Sequence, residues 1–206
     1  MTQGIAFFDF DDTLARGDSI LPFLLYCIRK RISPRRQLRP SRASRAKSAT
    51  LSFLKGRSAD EMLDVARAFF RDEYLPRFYQ DGLTELWSLR SQGMKLVVVS
   101  ASPDVYMRAL PEFMPIDAVL STRCEVGGDG RYTGQVGENC KGEEKVRRIE
   151  QYLKENGFVL DMKCSSAYGD SPSDADMMAL VNRAVLVNPK KALLRRRPDG
   201  IVVHWT

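Results

Sequence analysis

The sequence feature that most constrains the fold is a short apolar run that ends in acidic residues. Residues 5–8 read IAFF, and Asp9, Asp11 and Thr13 follow at alternate positions. Such a run is typical of a strand that is covered on both faces. Carboxylates at the end of a buried strand cost free energy unless a cation or a reaction uses them. In open parallel sheets ligands bind beyond the carboxyl ends of the strands, where Asp9 and Asp11 are predicted to lie.

Strand patterns alternate with helical patterns along most of the chain, and Gly93 and Gly157 are predicted to end two of the helices. This alternation predicts an α/β fold with a Rossmann-like parallel sheet core flanked by helices. The predicted strands are 5–8, 95–99, 119–122, a strand ending near 170, 184–187 and 201–204, with a hairpin at 125–136; the predicted helices are 83–92, 143–156 and 175–182.

One interval, residues 17–77, has helical patterns and no strand signals. Within it Ser58 is placed as an N-cap, with Glu61 three residues later as in a capping box. We therefore expect a small helical cap at 17–77 inserted into a core domain formed by 1–16 and 78–206.

The chain has a net charge of +6, but the charge is concentrated in that insert. No acidic residue occurs between Asp18 and Asp60, whereas eleven lysines and arginines do, so the rest of the chain is net acidic. Such a segment attracts an anionic partner, either a phosphate ester, a nucleic acid or an acidic lipid surface, or it is simply a solvated face.

The four cysteines have no CxxC spacing, which favours a reduced, cytoplasmic protein without a zinc site or disulfide framework. The longest apolar stretch after the first strand, residues 20–28, is too short to span a bilayer. Because arginines and a lysine follow it, this stretch is also compatible with weak association at an acidic membrane surface.

Polar residues at other predicted strand ends and at one helix start complete a candidate site. They are Ser100, Lys141 or Lys145 at the start of a helix, and Asp170 and Asp174 in the run GDSPSD. Several carboxylate oxygens at one sheet edge suit Mg²⁺, which binds through one or two carboxylates together with a substrate phosphate. A cation and a lysine together can stabilise charge on a transferring phosphoryl group.

These motifs, DxDxT, a strand ending in serine, a helix-borne lysine and GDxxxD, occur in the order found in one known family. The chain resembles the haloacid dehalogenase superfamily phosphatases, in the phosphoserine-phosphatase-like branch that carries a helical cap. The segment 129–149 is similar to a subgroup that also contains a phosphatidylglycerophosphate phosphatase. The resemblance covers nearly the whole chain and implies a Mg²⁺-dependent phosphomonoester hydrolase for a small or lipid-like ester.

The resemblance also implies roles for individual residues. Asp9 would be the nucleophile that forms an aspartyl-phosphate, and Asp11 would protonate the leaving oxygen and later deprotonate water. Thr13 and Ser100 would donate hydrogen bonds to the phosphoryl group.

The metal ligands implied are the Asp9 side chain, the Asp11 main-chain carbonyl and Asp170, while Asp174 would hold a metal-bound water or orient the lysine. The lysine directly before a glycine is Lys141, and the one three residues after that glycine is Lys145; we favour Lys145 and keep both.

Two further residues are candidates for substrate recognition. Asp18 lies nine residues after Asp9, where phosphoserine phosphatases carry a glutamate that recognises the substrate amine, and Arg57 is a candidate cap contact. The resemblance leaves two alternatives: a phosphotransferase on the same scaffold, or a non-catalytic module that binds anions or membranes through the basic insert. We expect no specific nucleic-acid partner, since a pure binder needs no nucleophile and acid together.

Overall fold

The computed structural model describes residues 2–33 and 51–206. The basic residues Arg35, Arg36 and Arg39 of the insert therefore lie outside the described residues. The strands are β1 (Thr2–Gln3), β2 (Ile5–Phe8), β3 (Lys95–Pro103), β4 (Ala118–Thr122), β5 (Cys124–Val126), β6 (Tyr132–Val136), β7 (Val159–Leu160), β8 (Ser166–Gly169), β9 (Arg183–Val187) and β10 (Ile201–Val203). The helices are α1 (Ile20–Arg29), α2 (Ala59–Phe69), α3 (Gln80–Ser91), α4 (Asp104–Met107), α5 (Glu143–Glu155), α6 (Ala175–Met178) and α7 (Lys191–Arg196).

A six-stranded parallel sheet forms the core, with the strand order β10-β9-β8-β2-β3-β4. Strand β2 is central, and its Phe8 lies opposite Val98 on one neighbour and Tyr168 on the other. All four residues of β2 are buried because both faces of the sheet are covered. The predicted Rossmann-like α/β fold is confirmed.

Alternate residues of β2 face two separate apolar clusters. Ile5 and Phe7 pack in the cluster that includes Ile149 of α5 and Met177 of α6. Ala6 and Phe8 pack in the cluster that includes helix α3 and the insert. Because both faces of β2 are packed, the orientation of the strand is fixed, and with it the position of the acidic residues that follow.

The helix predicted near 175–182 is shorter than expected, since α6 ends at Met178. A 3-10 turn, Pro172–Asp174, precedes it. After the helix, Asn182 N donates to Met162 O at 2.9 Å, which draws the chain out of the helix toward β9.

The insert packs around an aromatic cluster, in which Phe23 of α1 contacts Phe69 of α2 and Tyr106 of α4 edge-on or at an angle. The predicted N-cap is confirmed, because the Ser58 side chain accepts a bond from Glu61 N. Much of the apolar stretch at 20–28 is buried in this cluster rather than facing solvent.

The chain passes between core and insert at two adjacent points. Ala15 forms a bridge with Phe78, and Arg16 N donates to Arg77 O at 2.9 Å. These crossings agree with the boundaries at 16 and 78, although the division into two domains stays a prediction.

The hairpin β5–β6 follows the core strand β4, yet it is hydrogen-bonded to the insert. Gly56 N donates to Tyr132 O at 2.8 Å, and Tyr132 N donates to Arg57 O at 2.9 Å. The sequence offers no sign of this pairing because backbone groups form it. The insert is therefore attached to the core through the hairpin as well as through the two crossings.

Candidate active site

Parallel pairing brings the chemistry-bearing residues to one edge of the sheet. Asp9 follows β2, Ser100 and Ser102 lie on β3, and Asp170 follows β8, the neighbours of β2 on its two sides. Residues that are distant in sequence thus form one group at the carboxyl ends of three adjacent strands.

The centre of this group is an ion-pair cluster around Lys145. Its Nζ lies 2.6 Å from Asp9 Oδ1 and 2.7 Å from Asp174 Oδ1, and the lysine is only 1% exposed. Lys141 is exposed to solvent. Of the two lysines considered from the sequence, the fold brings Lys145 to the aspartates.

The three charges in this cluster influence one another strongly. Burial raises the pKa of the Asp9 carboxyl, although the Lys145 ammonium acts in the opposite direction. Burial would lower the pKa of Lys145, but Asp174 and Asp9 outweigh it and the pKa is raised. Lys145 therefore stays an ammonium whose charge is directed at Asp9.

Asp174 is held so that it can orient this lysine. Its Oδ2 accepts bonds from Ser171 N at 3.0 Å and Ser171 Oγ at 2.9 Å, which leaves Oδ1 facing Lys145. Gly169 is required beside it, because a Cβ there would lie 2.6 Å from the Cβ of Asp174.

Thr13 and Ser100 both lie buried at the site. Thr13 Oγ1 donates to Asp9 Oδ2 at 3.3 Å, a long contact that fixes the second carboxylate oxygen. Ser100 Oγ accepts a bond from Ser102 N at 3.0 Å, so its own proton remains available.

Asp11 is held by partners that sequence reasoning missed. Its Oδ1 accepts a bond from Ser19 N at 2.9 Å, and its Oδ2 accepts one from Ser102 Oγ at 2.6 Å. Burial raises the pKa of Asp11 to about 6, while the bonds from Ser102 and Ser19 limit the rise. The alternation along β3 does not identify Ser102, because the strand pairing is irregular between Ser100 and Pro103.

Asp170 has a cationic neighbour that no sequence pattern indicates. Lys190 Nζ lies 2.5 Å from Asp170 Oδ2 and 3.4 Å from Asp12 Oδ2. Burial raises the pKa of Asp170 and the Lys190 ammonium opposes it. Asp12 has φ 59° and lies in the turn that follows Asp11.

The carboxylates also form a group that fits a metal ion. Asp9, Asp170 and Asp174 are buried and each offers an oxygen within 4.8 Å of the others. Hard, negatively charged oxygen donors at this density match the preference of divalent cations such as Mg²⁺. The Asp11 side chain is outside this group.

The remaining two candidates differ in their surroundings. Asp18 is exposed, and its Oδ1 accepts a bond from Ile20 N at 2.9 Å at the start of α1. Its charge adds to the effect of burial in raising the pKa of Asp11, so it lies near the site. Arg57 instead donates to Ile32 O at 2.7 Å, a contact within the insert.

Comparison with known proteins identifies the family. The family model described as haloacid dehalogenase-like hydrolase matches residues 6–179. The chain belongs to this family. Its relatives include proteins named as phosphatases, and the chain is an enzyme of the phosphatase class, as its motifs predicted.

Two relatives and one solved structure of similar fold illustrate the match. Protein CicA of Caulobacter vibrioides is 31% identical over 85% of this chain and 82% of its own length. Histidinol-phosphatase of Neisseria meningitidis is 26% identical over 93% of both chains. A solved structure of phosphoserine phosphatase, described as a phospho-aspartyl intermediate analogue, superposes with a TM-score of 0.66 at 20% identity, covering 98% of this chain and 93% of that one.

Within residues 2–33 and 51–206, no helix combines the length and apolar character needed to cross a bilayer.

Proposed function

We propose that this protein is a Mg²⁺-dependent phosphomonoester hydrolase that acts through an aspartyl-phosphate on Asp9. The observation that carries the proposal is the pairing of Asp9 with Lys145 in a buried cluster, two residues before an independently held Asp11. One carboxylate beside a fixed cation and a second with separate partners provide a nucleophile and an acid.

In the first step an Asp9 carboxylate oxygen attacks phosphorus, and the bond from phosphorus to the ester oxygen breaks. Asp11 gives its proton to the departing alcohol oxygen. A pKa raised to about 6 suits this role, because the group can hold a proton near neutral pH and still release it.

In the second step water attacks the phosphorus of the aspartyl-phosphate, and Asp11 accepts the water proton. The bond between phosphorus and Asp9 breaks, which releases inorganic phosphate and restores the carboxylate. The related phosphoserine phosphatase was solved as an analogue of its phospho-aspartyl intermediate, which supports the same route here.

Lys145, Thr13 and Ser100 would bind the phosphoryl group during both steps. Lys145 is a fixed ammonium, and the two hydroxyls lie at the same strand ends as the nucleophile. Their role is to neutralise and orient the charged oxygens where charge develops.

Asp9, Asp170 and Asp174 would hold Mg²⁺. The resemblance to the family adds the Asp11 main-chain carbonyl. When bound, Mg²⁺ supplies positive charge that offsets the repulsion between a phosphate dianion and this carboxylate group.

For the substrate we propose a small phosphate ester. Asp18 lies just before the first residue of α1, and its negative charge can pair with an ammonium group on the alcohol. The related histidinol-phosphatase is named for a substrate of this size. A lipid-like or larger anionic ester would instead use the basic insert.

The experiment is a phosphate-release assay with purified protein, Mg²⁺ and a panel of phosphomonoesters that includes histidinol phosphate, phosphoserine and glycerol phosphate. The proposal expects phosphate release that EDTA abolishes. Running the assay in ¹⁸O-water separates hydrolysis from phosphoryl transfer, because only hydrolysis puts the label into phosphate. If no ester releases phosphate and the protein binds anionic vesicles, the non-catalytic alternative would be favoured.

A further inference from the structure

The two oxygens of Asp11 are held from opposite sides of the boundary between core and insert. Oδ1 accepts a bond from the backbone N–H of Ser19, directly before α1 of the insert, at 2.9 Å. Oδ2 accepts one from the hydroxyl of Ser102, on the core strand β3, at 2.6 Å. A carboxylate held at both oxygens cannot rotate without breaking one of these bonds.

Three hydroxyls form a chain that leads to Asp11. Ser19 Oγ lies 2.9 Å from Ser102 Oγ and 2.8 Å from the Tyr106 hydroxyl. Each hydroxyl has one proton. While Asp11 is ionised, Ser102 donates its proton to Asp11, so Ser19 donates to Ser102 and Tyr106 donates to Ser19.

Burial makes this chain costly to break. Ser19, Ser102 and Tyr106 are each at most 3% exposed, so water cannot readily replace a missing hydroxyl. The direction of every bond in the chain is therefore fixed as long as the acceptor at its end, Asp11, is ionised.

We propose that Ser102 is a positioning residue for the acid Asp11, and that Ser19 links this positioning to the placement of the insert. The inference rests on the proposed function, and it adds that the insert takes part in the protonation of the leaving alcohol. In this role the Ser102 hydroxyl acts through Asp11, which it holds at the angle from which a proton reaches the ester oxygen.

The dependence of the hydrolysis rate on the leaving group distinguishes this positioning role from a structural one. An alkyl alcohol needs a proton as it departs, whereas 2,4-dinitrophenolate leaves without one. The quantity to compare is kcat/KM, because it reports only steps up to the first irreversible one, the formation of the aspartyl-phosphate.

The variants are Ser102→Ala and Tyr106→Phe, assayed on an alkyl phosphate that the parent turns over and on 2,4-dinitrophenyl phosphate. Ser102→Ala should lower kcat/KM for the alkyl ester about 10- to 100-fold, and that for the aryl ester less than about threefold. Tyr106→Phe keeps the ring and removes the end of the chain, so it should produce a smaller loss in the same direction.

Matched controls are Ser166→Ala, which removes a buried hydroxyl from β8, and Tyr26→Phe, which removes a hydroxyl that donates to Asp72 within the insert. Each control variant should change kcat/KM for the two esters by the same factor. A crystal structure of Ser102→Ala gives a readout independent of turnover, in which the Asp11 carboxylate should be rotated or disordered.

The proposal would be overturned if Ser102→Ala lowers kcat/KM equally for both esters, or if the Asp11 carboxylate is unmoved in the Ser102→Ala structure. If the parent hydrolyses neither ester with Mg²⁺ present, the proposed function itself has failed and the inference fails with it. If the parent is active and Ser102→Ala retains full activity on the alkyl ester, only the positioning role is refuted.

Discussion

Lys145 Nζ and Asp9 Oδ1 lie 2.6 Å apart, although 136 positions separate the two residues in the chain. The contact joins the end of the central strand β2 to the first turn of α5, and it is almost fully buried. A buried ammonium paired with carboxylates is more costly to disturb than an exposed pair, because the partners left behind have no solvent. This contact therefore has consequences for both stability and turnover.

Lys145→Met should abolish turnover and destabilise the protein by about 3–5 kcal/mol, since Asp9 and Asp174 lose the cation between them. Denaturant unfolding and phosphate release measure the two effects. Lys141→Met is the matched comparison, and we expect near-parental stability and activity because Lys141 is exposed. Loss of turnover in Lys141→Met with activity retained in Lys145→Met would reverse the assignment of the lysine.

Mg²⁺ should raise the melting temperature, because only the folded chain assembles the carboxylate group. At a hundred times the dissociation constant the gain is about 2.7 kcal/mol. Asp170→Asn should remove most of it. Asp176→Asn, at an aspartate on α6 that pairs with Arg196 outside this group, should respond to Mg²⁺ like the parent. A parent whose melting temperature ignores Mg²⁺ would refute the metal assignment.

Lys190→Ala should strengthen Mg²⁺ binding about threefold, which corresponds to roughly 0.6 kcal/mol of binding free energy. The Lys190 ammonium lies 2.5 Å from Asp170 Oδ2 and so competes with a cation for the same oxygen. Isothermal titration calorimetry with Mg²⁺ alone measures the change. Lys191→Ala, the exposed neighbour, is the control, and weaker Mg²⁺ binding by Lys190→Ala would contradict the competition.

The site divides into residues that local patterns predict and residues that only tertiary structure reveals. Asp9, Asp11 and Asp170 were predictable because each follows a strand in a short acidic motif. The start of α5 decides between Lys141 and Lys145: the helix begins at Glu143, so Lys141 lies before it and is exposed, whereas Lys145 lies in its first turn and is buried. Lys190 reaches Asp170 from the segment after β9, where no local pattern marks it.

The fold shows the same division. The parallel sheet follows from the alternation of strands and helices, and the N-cap at Ser58 follows from local chemistry. The pairing of the hairpin with Gly56 and Arg57 does not, because it joins backbone groups that any residues could supply. The early end of α6 likewise depends on a contact between Asn182 and Met162.

The basic residues of the insert should govern substrate choice and not the chemical step, because none of the catalytic motifs lies among them. Replacing Arg35, Arg36 and Arg39 together by glutamine should raise KM for large anionic esters and make it less sensitive to salt. A small aryl phosphate should be turned over as by the parent. Equal loss on both substrates would place these arginines in the catalytic machinery or in fold stability.

The covalent role of Asp9 is tested most directly by mass spectrometry of protein quenched in acid during turnover. We predict a mass increase of one phosphoryl group on the peptide that carries Asp9. We expect Asp9→Asn to retain the fold and, because the amide relieves the crowding of carboxylates, a melting temperature without metal at least equal to that of the parent. In this variant both the mass increase and turnover should be absent. Ordinary turnover by Asp9→Asn, or a phosphoryl group found on a different residue, would contradict the proposed mechanism.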